Sequence, residues 1–304
     1  MDYLDVQTID GNVNSRGWGG HRWSAPAGGF RLAGVDIDNT LLGPDGRISA
    51  ENAAAVRELR RRGVQVVLAS GRNHVNMLRF HHELGLGDGP IVSAQGGVVR
   101  PAGGGAPWLE QSMAPELVAR VTRDGLDRGL TVQHYRGDEI LVQQPSRWSD
   151  RDQALNDTPQ TLVGDLLAEG AAGVVKIIWL GDPAHIAALA AGRAAAYDGA
   201  ASVTVTEPSY LEFSDVATSK AGGLAVVAER LGVTRAQVLA FGDGNNDVPM
   251  LAWAGLGVAM DHAKPSAQRA ARLVTPLGDP ETSLARAVRL VLGDGTGGRR
   301  RRDT

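Results

Sequence analysis

At 304 residues, with 43% apolar side chains and a net charge of −3, the chain is long enough for one large domain or two ordinary ones, and it has the apolar content for a real core. Thirty-one basic residues against thirty-four acidic ones give no excess that would draw it to nucleic acid, and the absence of cysteine excludes disulfides, thiolate metal sites and thiol chemistry together. No apolar run approaches the ~18 residues of a membrane span, and the N-terminal residues, with Asp2, Asp5 and Asp10, show no secretory h-region; a cytoplasmic location without membrane or nucleic-acid partners is the expectation.

Residues 1–29, rich in Gly, Asn and Ser and without an apolar period, read as a disordered N-terminal extension. The chain then alternates. A buried strand is expected over 32–37, and a helix over 51–62, where Ala54, Val56 and Leu59 recur at helical spacing until Gly63. A strand over 64–69, a helix over 73–84 ending at Gly85, and a strand over 91–94 follow. This is the βαβαβ rhythm of a parallel sheet covered on both faces.

The middle differs. It predicts a helix over 116–128, a hairpin of 131–135 and 139–143 around Arg136-Gly137-Asp138, a helix near 160–168, a strand over 174–180, a helix over 184–196 and a strand over 202–206. The first rhythm returns with a helix over 220–231, a strand over 238–241, a helix over 247–254, strands over 256–259 and 273–275, and a last helix over 281–292. Residues 293–304, with four consecutive arginines at 299–302, read as a disordered Arg-rich tail. The expected fold is therefore α/β: a Rossmann-like parallel-sheet core over 30–109 and 206–292, interrupted by an inserted α+β cap over 110–205.

In such sheets ligands bind beyond the carboxyl ends of the strands. The first strand runs into Asp36-Ile37-Asp38-Asn39-Thr40, whose alternation places two carboxylates on one side of an extended chain. A plainer reading has Asp38 and Thr40 capping the turn that leaves the strand. The second strand ends in Ser70-Gly71-Arg72, a hydroxyl and a bare backbone amide ahead of a helix, which is an anion seat but also ordinary loop punctuation. The strand over 238–241 leads into Gly242-Asp243-Gly244-Asn245-Asn246-Asp247, a G-D-x-x-N-D pattern expected about 0.007 times in a chain of this composition. Only three lysines occur among thirty-one basic residues, and one of them, Lys220, opens a helix where the helix dipole disfavours it.

Asp36, Asp38, Asp243 and Asp247 thus converge on one crevice. Two such charges ~4 Å apart repel by about 4 kcal/mol at an effective dielectric of 20. Either their pKa values rise or a cation sits among them, and oxygen-only donors point to Mg²⁺. Lys220 and Ser70 would meet phosphoryl oxygens.

Together, Asp36-Ile37-Asp38-Asn39-Thr40-Leu41-Leu42, Ser70-Gly71-Arg72, Lys220 and 242–247 followed by Met250 resemble the four motifs of the haloacid dehalogenase (HAD) superfamily. More narrowly they resemble its Cof-type phosphatases, whose large cap lies between the second and third motifs. The resemblance implies that Asp36 is the nucleophile and a Mg²⁺ ligand. It makes Asp38 the general acid/base, with its backbone carbonyl on Mg²⁺, and Asp243 the remaining carboxylate ligand. Thr40 and Asp247 would support these groups, while the Ile37 backbone, Ser70, Gly71, Lys220 and Asn246 would hold phosphate. Asn39, Gln95 and His262 depart from the family pattern, where Gly, Asn and Asn are usual. The expected substrate is a small phosphorylated metabolite such as a sugar phosphate, acted on by a monomer or homodimer. A phosphomutase of the phosphomannomutase type and a receiver-like phospho-accepting module are the alternatives; Asp38, a general base beside the acyl phosphate, argues against the latter. Tyr135, His134, Arg136 and Trp148 are candidates for the pocket wall.

Overall fold

The computed structural model describes residues 25–156 and 158–293. Residues 294–304 of the expected tail, and residues 1–24 of the expected extension, lie outside the described residues. The first part of the chain lays down β1 (Leu32–Val35), α1 (Ala50–Arg61), β2 (Gln65–Leu68), α2 (His74–Glu83), β3 (Pro90–Ser93), β4 (Val98–Pro101) and β5 (Leu109–Glu110). A middle part gives α3 (Pro115–Asp127), β6 (Thr131–Arg136), β7 (Glu139–Val142), α4 (Arg147–Asn156), β8 (Gln160–Leu162), β9 (Val174–Leu180), α5 (Pro183–Ala196), β10 (Ala201–Val205) and β11 (Tyr210–Asp215). The chain returns through α6 (Lys220–Arg230), β12 (Val238–Gly242), α7 (Val248–Trp253), β13 (Leu256–Ala259), α8 (Pro265–Ala270), β14 (Leu273–Val274) and α9 (Ser283–Leu292). Among the described residues no helix is long and apolar enough to cross a membrane.

Five strands form one parallel sheet in the order β14-β13-β12-β1-β2. Their residues are almost wholly apolar and buried because helices cover both faces. β1 lies between β12 and β2, and its register sets Val35 level with Leu68 on one side and Phe241 on the other. The residues following each strand therefore emerge side by side at one edge of the sheet. Local caps fix where the flanking helices begin: the Ser49, Asn73 and Ser219 side chains accept from the backbone amides of Asn52, Asn76 and Gly222.

The expected third parallel strand is different. β3 meets the core sheet through a single parallel bridge, Ala69 to Val92, and otherwise starts an antiparallel meander with β4 and β5. The chain turns back through 94–97, where Gly96 has φ +95° and a Cβ would lie 2.0 Å from the Ser219 carbonyl oxygen, so only glycine fits.

The middle part builds a six-stranded sheet in the order β10-β11-β9-β6-β7-β8. Its alternation sorts side chains to two faces, apart from a register shift where Tyr135 and Arg136 meet the start of β9. Val132, Leu141, Ile177, Trp179, Leu211 and Phe213 face α3 and α5, while Tyr135, Ile140, Ile178, Leu180 and Tyr210 form a second cluster with Trp148 of α4. Two expectations are corrected here. Residues 160–168 are not a helix: Gln160–Leu162 pair in parallel with Ile140–Val142, because the open edge of β7 offers hydrogen bonds that outweigh local helical preference. The helix of this region is α4. Moreover, β11 pairs with both β9 and β10, so this sheet runs to Asp215 rather than stopping at the 205 boundary expected for the cap.

Candidate active site

Level strand ends bring Asp36, Ser70 and Asp243 to one place. The Asp36 amide donates to the Phe241 carbonyl at 3.0 Å and the Ser70 amide to the Val92 carbonyl at 3.0 Å, which extends the sheet ladder into the loops. Asp36, Asp243 and Asp247 each offer a carboxylate oxygen, and these oxygens lie within 4.8 Å of one another. Lys220, wholly buried at the start of α6, sends its ammonium to Asp36 Oδ1 at 2.5 Å and to Asp247 Oδ1 at 2.6 Å. The other oxygen of Asp247 accepts from the backbone amides of Asp243 and Gly244, both at 2.9 Å. A Cβ on Gly242 would lie 2.5 Å from the Asp247 carboxyl carbon, so the glycine of this motif makes room for that carboxylate.

Burial first, then the neighbouring charge of Asp247, drives the Asp36 carboxyl well above the usual carboxylate range, against the pull of Lys220. Asp243 is pushed up to about 6, again by burial first and Asp247 second. Burial opposes the charge on Lys220, but Asp247 and Asp36 outweigh it and hold the ammonium protonated. Three carboxylates and one ammonium leave a formal excess of two negative charges in a dry site. Hard oxygen donors with that excess fit a divalent cation of the Mg²⁺ type.

The loop after β1 is a single wide turn over Ile37–Leu41, closed by the Leu42 amide on the Ile37 carbonyl at 2.9 Å. Asn39 takes φ +58° there, the left-handed conformation that Asn tolerates better than most residues. His262 reaches across to the Asn39 carbonyl, Nε2 to O 2.8 Å. Thr40 is buried, with its hydroxyl 3.4 Å from Asp243 Oδ1. Asp38, by contrast, turns its carboxylate toward Arg72, which grips it bidentately at 2.7 and 3.0 Å and also donates to Asn76 at 2.8 Å. The Asp38 side chain stays 47% exposed, so it stands at the open side of the site while Asp36 lies at the closed end.

These groups floor a cleft with about 270 Å³ of space for water-sized molecules. Asp36, Asp38, Ser70, Gly71, Asp243 and Asn246 line it. Ile37, Thr40, Lys220 and Asp247 lie buried beneath them. The opposite wall comes from the six-stranded sheet and α4, through Tyr135, Asp152, Lys176, Glu207, Tyr210 and Glu212. Of the wall candidates named from sequence, only Tyr135 lines the cleft: His134, its neighbour in β6, points to the other face and pairs with the Thr122 hydroxyl at 2.7 Å.

The model of the haloacid dehalogenase-like hydrolases matches residues 34–287. The chain belongs to that family. An HMP-PP phosphatase from Klebsiella pneumoniae is 27% identical over 251 residues, covering 82% of this chain and 90% of the relative. A haloacid dehalogenase-like hydrolase from Bacteroides thetaiotaomicron superposes with a TM-score of 0.75 at 28% identity, over 86% of this chain and 98% of that one. A HAD subclass IIB sugar phosphatase shares the fold, with a TM-score of 0.75 at 20% identity over 85% and 98% of the two chains.

In this HAD-like hydrolase the sequence singled out the floor of the cleft but missed most of its roof. Asp152, Glu207, Tyr210 and Glu212 carry no motif. The bidentate role of Arg72 was equally invisible, since it depends on a turn thirty-odd positions upstream. Lys176 did leave a trace: it is a scarce lysine inside the apolar run of β9.

Proposed function

We propose that this hydrolase is a Mg²⁺-dependent phosphatase that removes a phosphoryl group from a small, polar metabolite through an aspartyl-phosphate intermediate. The observation that carries the reading is the pairing of a buried carboxylate, Asp36, with a second one, Asp38, on the solvent side of the same turn. Asp36, Asp243 and the Asp38 backbone carbonyl would hold Mg²⁺, with Asp247 in support; when bound, it offsets the charge on the phosphoryl oxygens. Ser70, Gly71 and Asn246, on the cleft floor, seat those oxygens, with Lys220 supplying positive charge from below and the Ile37 backbone beside them.

An Asp36 carboxylate oxygen attacks phosphorus as the bond to the leaving oxygen breaks, and Asp38 delivers a proton to that oxygen. Water then attacks phosphorus, gives a proton to Asp38, and displaces Asp36 as a free carboxylate with release of inorganic phosphate. The roof, with three carboxylates and two tyrosines, offers acceptors and donors to a hydroxyl-bearing leaving group, a sugar phosphate being the type case.

A screen of phosphorylated metabolites and an aryl phosphate, with and without Mg²⁺, tests the reading. Activity is expected to vanish on chelation and in Asp36→Asn. Asp38→Ala is expected to accumulate an acid-stable, hydroxylamine-sensitive phosphoryl adduct from the aryl phosphate. Full turnover after exhaustive chelation, or inversion rather than net retention of configuration at phosphorus with a chiral thiophosphate ester, the mark of a single direct displacement by water, would overturn it.

A further inference from the structure

Three polar side chains tie the phosphate-facing floor to the sheet above it without lying among the predicted phosphate contacts. Lys176, buried in the middle of β9, donates to the Gly71 carbonyl at 2.7 Å, lies 3.4 Å from Glu212 Oε2, and stands 4.2 Å from the centre of the Tyr135 ring. The Gly71 carbonyl belongs to the peptide joining Gly71 to Arg72. That unit is planar and trans, so fixing its carbonyl toward Lys176 fixes its N–H in the opposite direction. The N–H in question, of Arg72, points at Ser70 Oγ at 3.3 Å. With the oxygen of Ser70 already accepting, its hydroxyl proton is left for an acceptor in the cleft.

Glu212 governs the other side of the floor. One of its carboxylate oxygens accepts from the Thr206 hydroxyl at 2.8 Å and the other from Gln95 Nε2 at 3.0 Å. A carboxylate can only accept, so Gln95 has to present its amide nitrogen upward and its oxygen downward. That oxygen accepts from Asn246 Nδ2 at 3.0 Å, which fixes the Asn246 amide as well. The Gln95 backbone sits at φ +60°, directly after Ala94 at φ +49°. Two successive non-glycine residues in the left-handed region persist only where the surroundings over-determine them. Gln95 also lies flat on the floor: a Cβ on Gly71 would be 2.4 Å from its Nε2.

We propose that Lys176, Glu212 and Gln95 are positioning residues that set the donor directions of Ser70 and Asn246, so that the phosphate seat is complete only when β9 and β11 are docked over it. The proposal rests on the phosphatase reading above. It assigns to the second sheet a part in holding the phosphoryl group, separate from any contact with the leaving group.

The test uses inorganic phosphate as a competitive inhibitor, which has no leaving group, together with an aryl phosphate and the best metabolite substrate of the screen. Lys176→Met, Glu212→Leu and Gln95→Leu are each expected to weaken inhibition by phosphate about tenfold. They should lower kcat/KM for both substrates by the same factor. Glu212→Gln, which keeps an acceptor but no longer dictates the orientation of Gln95, should fall between wild type and Glu212→Leu. The double variant Gln95→Leu/Glu212→Leu should be no worse than its worse parent, since both cut one chain. Thermal midpoints report folding, and if Lys176→Met does not fold, the Gln95 and Glu212 variants decide the matter. Unchanged phosphate inhibition in folded variants, or a loss confined to the metabolite substrate, would overturn the proposal. Such a result in an active, Asp36-dependent enzyme counts against this inference alone, whereas an inactive wild type counts against the phosphatase reading.

Discussion

Lys220 neutralises part of a carboxylate cluster that would otherwise repel itself. Burial, Asp247, Asp243 and Asp38 push Asp36 up, and the Lys220 ammonium pulls it down. Lys220→Met removes that pull and leaves two buried carboxylates without their partner, a change that typically costs about 3–5 kcal/mol. Turnover should fall by roughly 10²–10³-fold, because the phosphoryl charge loses its compensation in a water-poor site. Steady-state kinetics with an aryl phosphate and a urea titration check the two effects separately. Wild-type kinetics in the variant would mean that Lys220 serves the fold only. The residue was conspicuous in the sequence because a lysine at a helix start opposes the helix dipole; its two short ion pairs now show what holds it there.

Among elements, α3 and β9 show packing overriding propensity. Gly125 lies in the interior of α3, where alanine is ordinarily better by about 1 kcal/mol. A Cβ there would stand 2.5 Å from Trp179 Nε1 and 2.8 Å from its Cδ1. Trp179 cannot yield easily: it is fully buried, donates to the Val121 carbonyl at 3.1 Å, and packs on Phe213 with ring centres 4.4 Å apart. Gly125→Ala is therefore expected to destabilise by about 1–3 kcal/mol, the range for overpacking a dense core. A lower urea midpoint at unchanged slope would bear this out; a higher one would show that the indole moves aside. The same competition explains β8, where pairing along β7 decides a segment whose own residues favour a helix.

For the whole molecule, three buried histidines make stability depend on pH. His74, His81 and His134 are each lowered from 6.5 to about 4, burial being the largest cause in every case. The unfolded chain takes up protons at these rings near pH 6.5, while the folded chain resists until about pH 4. Between those values the unfolded state binds more protons, so the stability these rings confer is full above pH 6.5 and declines as pH falls toward 4. Each histidine adds a slope of up to about 1.4 kcal/mol per pH unit in that window. Urea midpoints across it should fall with acid, and His81→Leu should reduce the proton uptake on unfolding by about one. A slope identical to wild type would show that His81 titrates normally in the folded chain.

The alternation of strand and helix, the places where core strands end, the Asp36, Ser70 and Asp243 positions at those ends, and Lys220 at the start of a helix were all legible from the chain. Each depends on local period or on contiguous motif residues, which the backbone alone converts into direction. Tertiary structure decided the rest. The sequence could not say that Asp38 faces Arg72 rather than Asp36, because that choice is made by a turn meeting a distant loop. Nor could it place β11 in the second sheet, or run the chain from Glu212 through Gln95 to Asn246, whose members lie 117 and 151 positions apart. Hydrogen bonds between residues so far separated leave no period in the sequence; the register and packing of whole sheets bring them within reach.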